Sequence, residues 1–541
     1  MQKKNIIKQP KMTSRKGDSM NIGLFISESE KAISNIIDLQ SLASDYKNLA
    51  SVKIFNNLCS STSIRAVQEE IKTKKLKGLV LAGESPLYYK KIRNGDLLLK
   101  TIHEAGINSN MVSFVNLKEQ VAMPHRSDPS GATKKAKVLL DVGIEKLRFT
   151  HDVDTIGVTP KKSVAIIGTT IGGLFAANRL LERGYKVHFI DNVSLRDLGD
   201  YKTQAMPTLA YIKNHPEVTF HTETPTEIYG YAGNFRISLG DYSLRAGALI
   251  VAIENDLTYT EALYPLIRIE RDDSGFFKPL ISDTSTVETS NQGIFVIPYV
   301  KDTPLSYIIA LSDSASTLAD SLLSKKEIEH ELFVSEVDEE VCGGCGTCIK
   351  TCIFHAAELD PIKKLSSTNI KRCVGCGNCV SACPTGARDQ ISAPTKYLIS
   401  AIKILAQYQP SNNIKILYLA CEGCGYPSLD YAGKMGVEYP TSVLPLSVRC
   451  AGRIDTQLIL EAFREGFQGV VICKCKDDHC LNIVGNIDLD RRANLFRAVL
   501  KSRGITPERL RIFGVSECEG GSCVGSAVEF LDYLRNIGGK A

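Results

Sequence analysis

The stretch Val341-Cys-Gly-Gly-Cys-Gly-Thr-Cys-Ile-Lys-Thr-Cys352 is echoed by Cys373-Val-Gly-Cys-Gly-Asn-Cys-Val-Ser-Ala-Cys-Pro384. Each run spaces its cysteines as Cys-x2-Cys-x2-Cys-x3-Cys, the spacing that holds cubane iron–sulfur clusters. Three thiolates on one tight loop bind three corners of a cube, and in such doubled runs the fourth cysteine closes the other cube. Cys342, Cys345, Cys348 and Cys383 are therefore assigned to one [4Fe–4S] cluster, and Cys373, Cys376, Cys379 and Cys352 to a second. Gly343, Gly344, Gly346, Gly375 and Gly377 let backbone N–H groups turn toward the sulfurs. Structural zinc is the competing reading, but zinc usually takes two ligand pairs separated by a longer gap. Ile353 stands where a proline often follows the fourth cysteine, a departure that touches local geometry rather than ligation. Paired clusters of this kind carry single electrons.

The rest of the composition agrees with a redox rather than a nucleic-acid or membrane role. Of the 17 cysteines, all but Cys59 lie beyond residue 341, a crowding that points to metal rather than disulfides. The formal charge of +5 on 541 residues is too weak to argue for nucleic acid, and tryptophan is absent. No uninterrupted apolar run reaches the roughly 18 residues of a membrane helix. The first 19 residues are basic without an apolar core, and read as a solvated tail or as sequence upstream of a start at Met20.

Strand-like runs alternate with helical segments on both sides of the cysteine-rich segment, which predicts an α/β multidomain chain with parallel sheets. The expected divisions are a flexible tail at 1–19, an N-terminal α/β domain at 20–150, and a Rossmann-like FAD-type domain at 160–325. A 2[4Fe–4S] ferredoxin-like α+β module follows at 335–393, and a parallel α/β iron–sulfur domain at 396–541. In the first domain Asn21-Ile-Gly-Leu-Phe-Ile26 predicts a strand and 29–43 a helix, while the charged stretch 325–340 reads as a linker.

In the last domain each predicted strand delivers cysteine at its carboxyl end. Cys421 and Cys424 follow the first, Cys450 the second, Cys473 and Cys475 end the third with Cys480 beyond, and Cys518 follows the fourth. That edge of an open parallel sheet is where ligands bind, so a second metal site is expected there. Free core thiols, or a thiol–disulfide pair at Cys421 and Cys424, are the alternatives. In the Rossmann-like domain the turn after Ser163-Val-Ala-Ile-Ile-Gly168 carries Gly168 and Gly173, but Thr170 replaces the glycine that lets a pyrophosphate approach. Asp191 stands where a ribose-binding carboxylate belongs.

Residues 414–539 resemble the delta subunit of methyl-viologen-reducing hydrogenase, through Cys421-Glu-Gly-Cys424, Arg449-Cys-Ala-Gly-Arg453-Ile-Asp, Cys475-x4-Cys480 and Gly485-Asn486. The resemblance implies one [2Fe–2S] cluster, with Cys421, Cys424, Cys450, Cys475 and Cys480 as five candidates for four ligand places. From Met20 to Leu323 the chain resembles the A subunit of heterodisulfide reductase, a flavoprotein, through 117–125, Gly275-Phe-Phe-Lys-Pro279, Val287-Glu-Thr289 and Gly293-Ile-Phe295. The whole order is similar to a shortened B subunit of the quinone-interacting membrane-bound oxidoreductase complex. The resemblance implies FAD on Gly168, Thr170, Gly173 and Asp191, and partners that are other redox subunits of such a complex, with a hydrogenase or dehydrogenase as donor. It also implies a cytoplasmic protein that meets the membrane only through partners. Cys59 alone keeps a place of the N-terminal cluster of that family; Ser27, Ser29 and Glu84 stand where cysteines are expected, and Ala252-Ile253-Glu254 and Val296-Ile297-Pro298 have drifted from its flavin-contacting segments. The function so implied is an electron-transfer subunit with no catalytic residue of its own. A self-sufficient FAD oxidoreductase and a flavin-free relay or adaptor are the alternatives.

Overall fold

The computed structural model describes residues 20–537, except 92, 192–197, 254–255, 270, 273, 280–285, 299–302, 412 and 478. The tail at 1–19 and Glu254 lie outside the described residues. The chain forms two compact units: residues 1–153, 333–477 and 484–541 make one, and 154–332 with 478–483 make the other.

The first unit begins with a parallel four-stranded sheet in the order Ser51–Phe55, Ile22–Ser27, Gly78–Gly83, Val112–Asn116. The two central strands are buried along their whole length, as a strand covered on both faces must be. Helix Ser61–Lys74 starts where the Ser60 hydroxyl accepts from Ser63 N (3.2 Å), and helix Pro129–Phe149 where Asp128 accepts from Gly131 N (2.9 Å). Of the helix expected over 29–43 only 39–43 is helical. Ser29, Glu30 and Lys31 take left-handed conformations (φ 49°, 54° and 74°), and the helix runs instead over Leu39–Asp45, capped by Asp38. The Ser27 hydroxyl, accepting from Ser29 N, holds the chain in a turn there.

The same unit closes with a second parallel sheet, in the order Val443–Val448, Ile416–Cys421, Gly469–Cys475, Leu510–Val515. Helix Gly425–Lys434 of this sheet's domain packs on the carboxyl edge of the first sheet. There Asp430, buried, accepts from Ser85 Oγ, from Asn116 Nδ2 (2.9 Å) and from Gln120 Nε2 (2.6 Å). Between the two sheets in sequence lies the cysteine-rich module, built on two antiparallel ribbons: Ser335–Val337 with Arg388–Gln390, and Ala357–Leu359 with Ser366–Thr368.

The second unit is a five-stranded parallel sheet ordered Ile294–Val296, Ala248–Val251, Ser163–Ile167, Lys186–Ile190, Val218–His221. An antiparallel sheet of Pro225–Tyr231, Asn234–Leu239 and Tyr242–Ala246, unforeseen in the sequence, accompanies it. The stretch 325–340 does join the two units, whose boundary falls between 332 and 333, but it also forms strands. Ile328–Glu331 pairs with Thr155–Val158 in the second unit, and Ser335–Val337 opens the cysteine-rich module. The charged composition hides the strands because Ile328 and Ser335 are the residues that point inward.

Burial raises the Asp430 carboxyl to about 7, outweighing the donors that favour its charged form. Its contribution to stability is therefore fully present below the ordinary carboxylate range, near pH 4, and is lost as pH rises through about 7. Thermal unfolding of Asp430→Asn against pH is expected to give a flatter curve than the parent chain between pH 4 and 7. An unchanged slope would show that Asp430 does not set it.

Candidate metal centres

Two left-handed glycines shape each cysteine loop in the same way. Gly344 and Gly375 both have φ 66°, and Gly346 (75°) and Gly377 (86°) precede the short helices Thr347–Thr351 and Asn378–Ser381. These helices bring the third cysteine of each run, Cys348 and Cys379, into the interior. The eight sulfurs fall into two cavities. One is lined by Cys342, Cys345, Cys348 and Cys383, and the other by Cys352, Cys373, Cys376 and Cys379. The fourth cysteine of each run thus lies with the first three of the other.

Polar groups face the sulfurs in matching positions. In the first cavity Ser366 N donates to Cys342 Sγ (3.4 Å) and Ser366 Oγ lies 3.1 Å from Cys348 Sγ. In the second, Ser335 N donates to Cys373 and Ser335 Oγ lies 3.4 Å from Cys379 Sγ. Burial pushes the Cys373, Cys376 and Cys379 thiols up. At Cys345 the Thr347 hydroxyl holds the thiol below its usual range. At Cys383 burial works upward but is outweighed by the Thr385 hydroxyl and by backbone N–H groups of 385–388, so the thiol ends low. The serines that serve both sites were not singled out in the sequence, although Ser335 and Ser366 occupy equivalent places relative to the two cysteine runs.

Four sulfurs around a closed space, with inward N–H and O–H donors, is a donor set suited to a thiolate-ligated iron–sulfur core. Arg388 adds a further sign: it is 2% exposed and its Nε has no protein partner among the described residues.

At the carboxyl edge of the last sheet Cys421, Cys424, Cys450 and Cys475 are all buried. Cys421 Sγ and Cys475 Sγ lie 3.6 Å apart, and Gly425 N donates to Cys421 Sγ (3.3 Å). Cys480 falls in the segment 478–483 that packs with the second unit, where Tyr264 OH donates to its carbonyl (2.8 Å). Cys473, buried, is hydrogen-bonded to Cys523, whose sulfur lies 2.8 Å from Tyr418 OH; Cys518 is exposed. The ferredoxin-like module meets this sheet edge closely, since a Cβ on Gly452 would come within 1.6 Å of Asn378 Oδ1. Arg492 joins the same contact, donating to Ser381 Oγ and to Gly452 O (2.6 Å).

In the second unit the fingerprint residues bond to one another. Gly168 has φ 107°, and a Cβ there would lie 2.0 Å from Ala252 O. Thr170 caps helix Ile171–Glu182, and its hydroxyl donates to Ala252 O (2.8 Å). One Asp191 oxygen accepts from Thr169 N (2.7 Å) and Thr169 Oγ1 (2.9 Å). In this arrangement the turn does not present the Thr170 hydroxyl or that carboxylate oxygen to a dinucleotide.

Residues 341–387 match the 4Fe-4S dicluster domain family, and 416–538 match the family of the methyl-viologen-reducing hydrogenase delta subunit. The A subunit of the ferredoxin/F(420)H(2)-dependent CoB-CoM heterodisulfide reductase of Methanosarcina acetivorans is 21% identical over 787 aligned positions, covering 96% of this chain and 98% of that protein. An iron-sulfur A subunit of CoB--CoM heterodisulfide reductase from Methanopyrus kandleri is 36% identical over 236 residues, which are 40% of this chain and 35% of that protein. A Methanosarcina mazei relative, the A subunit of ferredoxin:CoB-CoM heterodisulfide reductase, is 27% identical over 51% of this chain and 35% of its own length. The chain therefore spans about a third of these last two relatives. Among solved structures, a putative thioredoxin reductase from Bacillus anthracis matches 30% of this chain and 98% of its own at 13% identity and a TM-score of 0.19. The fold and the cysteine sites define an iron–sulfur redox protein of mixed α/β build with a 4Fe–4S dicluster domain. Over nearly its full length the chain is similar to the heterodisulfide reductase A subunit, and over 416–538 to the hydrogenase delta subunit. Among the described residues no helix is long and apolar enough to cross a membrane.

Gly375→Ala would force a left-handed alanine and set its Cβ 2.3 Å from Phe333 O. Differential scanning calorimetry is expected to show the unit destabilised by about 2–4 kcal/mol. A parent-like melting profile would mean that the loop backbone is not fixed by this contact.

Proposed function

We propose that the chain is an electron-transfer subunit of a heterodisulfide-reductase-like complex, carrying two [4Fe–4S] clusters and one [2Fe–2S] cluster. The observation that carries the reading is the sorting of eight sulfurs into two crossed sets of four, one set per cavity. Cys342, Cys345, Cys348 and Cys383 ligate one four-iron cluster, and Cys352, Cys373, Cys376 and Cys379 the other. Cys421 and Cys475 hold the two-iron cluster, with the remaining places taken from Cys424, Cys450 and Cys480. Adjacent thiolate-ligated clusters accept and release one electron at a time and need no substrate pocket of their own.

The close contact of Asn378 with Gly452 supports a relay in which the two-iron centre exchanges electrons with the second four-iron centre. A donor such as a hydrogenase or dehydrogenase docks at the C-terminal domain, and other redox subunits complete the chemistry on heterodisulfide or quinone. The protein works on the cytoplasmic side and meets the membrane through those partners. FAD, where bound, would set its ribose against Asp191, one of whose oxygens accepts from Thr169 N and Oγ1. Stoichiometric flavin in purified chain, bleached by NAD(P)H, would favour the self-sufficient oxidoreductase instead.

Anaerobically purified chain is expected to hold about ten iron atoms, from two four-iron centres and one two-iron centre. Cys421→Ser and Cys475→Ser are each expected to lose the two-iron EPR signal while keeping both four-iron signals. Retention of all three signals in either variant would remove that residue from the ligand set, and zinc in place of iron would overturn the proposal.

A further inference from the structure

The two halves of the cysteine-rich module follow one plan, position for position. Ser335 and Ser366 face the third cysteine of each run, and the glycine pairs share their backbone conformations. The plan breaks at one buried place. Where the first half has Ala357, five residues past Cys352, the second half has Arg388, five residues past Cys383. Both are buried, at 4% and 2% exposure, so an alanine methyl on one side answers to a guanidinium on the other.

Arg388 lines the cavity of Cys342, Cys345, Cys348 and Cys383. Its guanidinium donates to Ser366 Oγ (2.5 Å), to Ser367 O (2.7 Å) and to Thr368 Oγ1 (2.9 Å). Ser366 Oγ in turn lies 3.1 Å from Cys348 Sγ. These partners are hydroxyls and a carbonyl rather than a carboxylate. A guanidinium stays charged at any working pH, and inside a protein its field is only weakly screened. A four-iron centre gains one negative charge when it is reduced, so a fixed cation on its cavity wall favours the reduced form.

Resting on the two-cluster reading above, we infer that Arg388 is a potential-setting residue: a single buried cation on the wall of one cysteine cavity that raises the reduction potential of the four-iron centre held by Cys342, Cys345, Cys348 and Cys383. The side chain takes up no electron or proton itself. It acts through charge, and its unpartnered Nε is a further donor available to the cluster core. The other reading is a strut that merely ties the ribbon at Ser366–Thr368, and a strut would affect cluster retention without regard to charge.

The test is an EPR-monitored redox titration of the full chain and of Arg388→Lys, Arg388→Gln and Arg388→Met, with iron counted in each. With iron retained, both neutral variants are expected to titrate at a more negative potential at the four-iron centre whose cavity Arg388 lines. At a fixed potential their reduced-to-oxidised ratio should fall roughly ten- to a hundredfold. Arg388→Lys, which keeps the charge, should recover most of that loss. Iron-replete neutral variants with parent-like potentials would overturn the inference, as would a lysine variant shifted as far as the methionine one. Loss of iron from both neutral variants would assign Arg388 to the strut. Absence of four-iron signals from the unmutated chain would instead defeat the two-cluster reading itself.

Discussion

Burying a thiolate is costly unless its charge is met, and this chain buries thiolate-forming residues in the cavity of Cys352, Cys373, Cys376 and Cys379 and along one sheet edge. The effect is plainest at Cys373, Cys376 and Cys379, whose thiols burial drives upward toward the protonated form. Metal ions relieve that cost by replacing protons on sulfur, so a cluster and its pocket stabilise each other. The glycines with positive φ, the short helices behind them and the inward serines are arranged around this constraint.

The cysteine-rich module also has to sit against its neighbours for electrons to pass. Gly452 lets Asn378 approach the turn that follows Cys450, and Arg492 closes over the same place. On the far side of the last sheet's domain, Asp430 anchors helix Gly425–Lys434 to the first domain through Ser85, Asn116 and Gln120.

Much of this was legible in the sequence because spacing and periodicity are local. The doubled cysteine runs fixed which sulfurs share a cavity, and the apolar strands followed by cysteine marked the carboxyl edge of the last sheet. What escaped depended on tertiary context. The chain after Ser27 turns because of a side-chain bond to its own backbone, against a helical pattern over 29–43. The stretch 325–340 is charged along most of its length yet contributes two strands, because only a few of its side chains point inward. Thr170 gave away the missing glycine, but the engagement of its hydroxyl with Ala252 O is visible only in three dimensions. Nothing local to Arg388 tells it from a surface charge; its burial beside the cysteines does.

Native mass spectrometry of the anaerobically isolated chain tests the account most directly. One polypeptide should carry the mass of two Fe4S4 cores and one Fe2S2 core together. A chain bearing zinc, or flying at its bare mass after reconstitution with iron and sulfide, would contradict it.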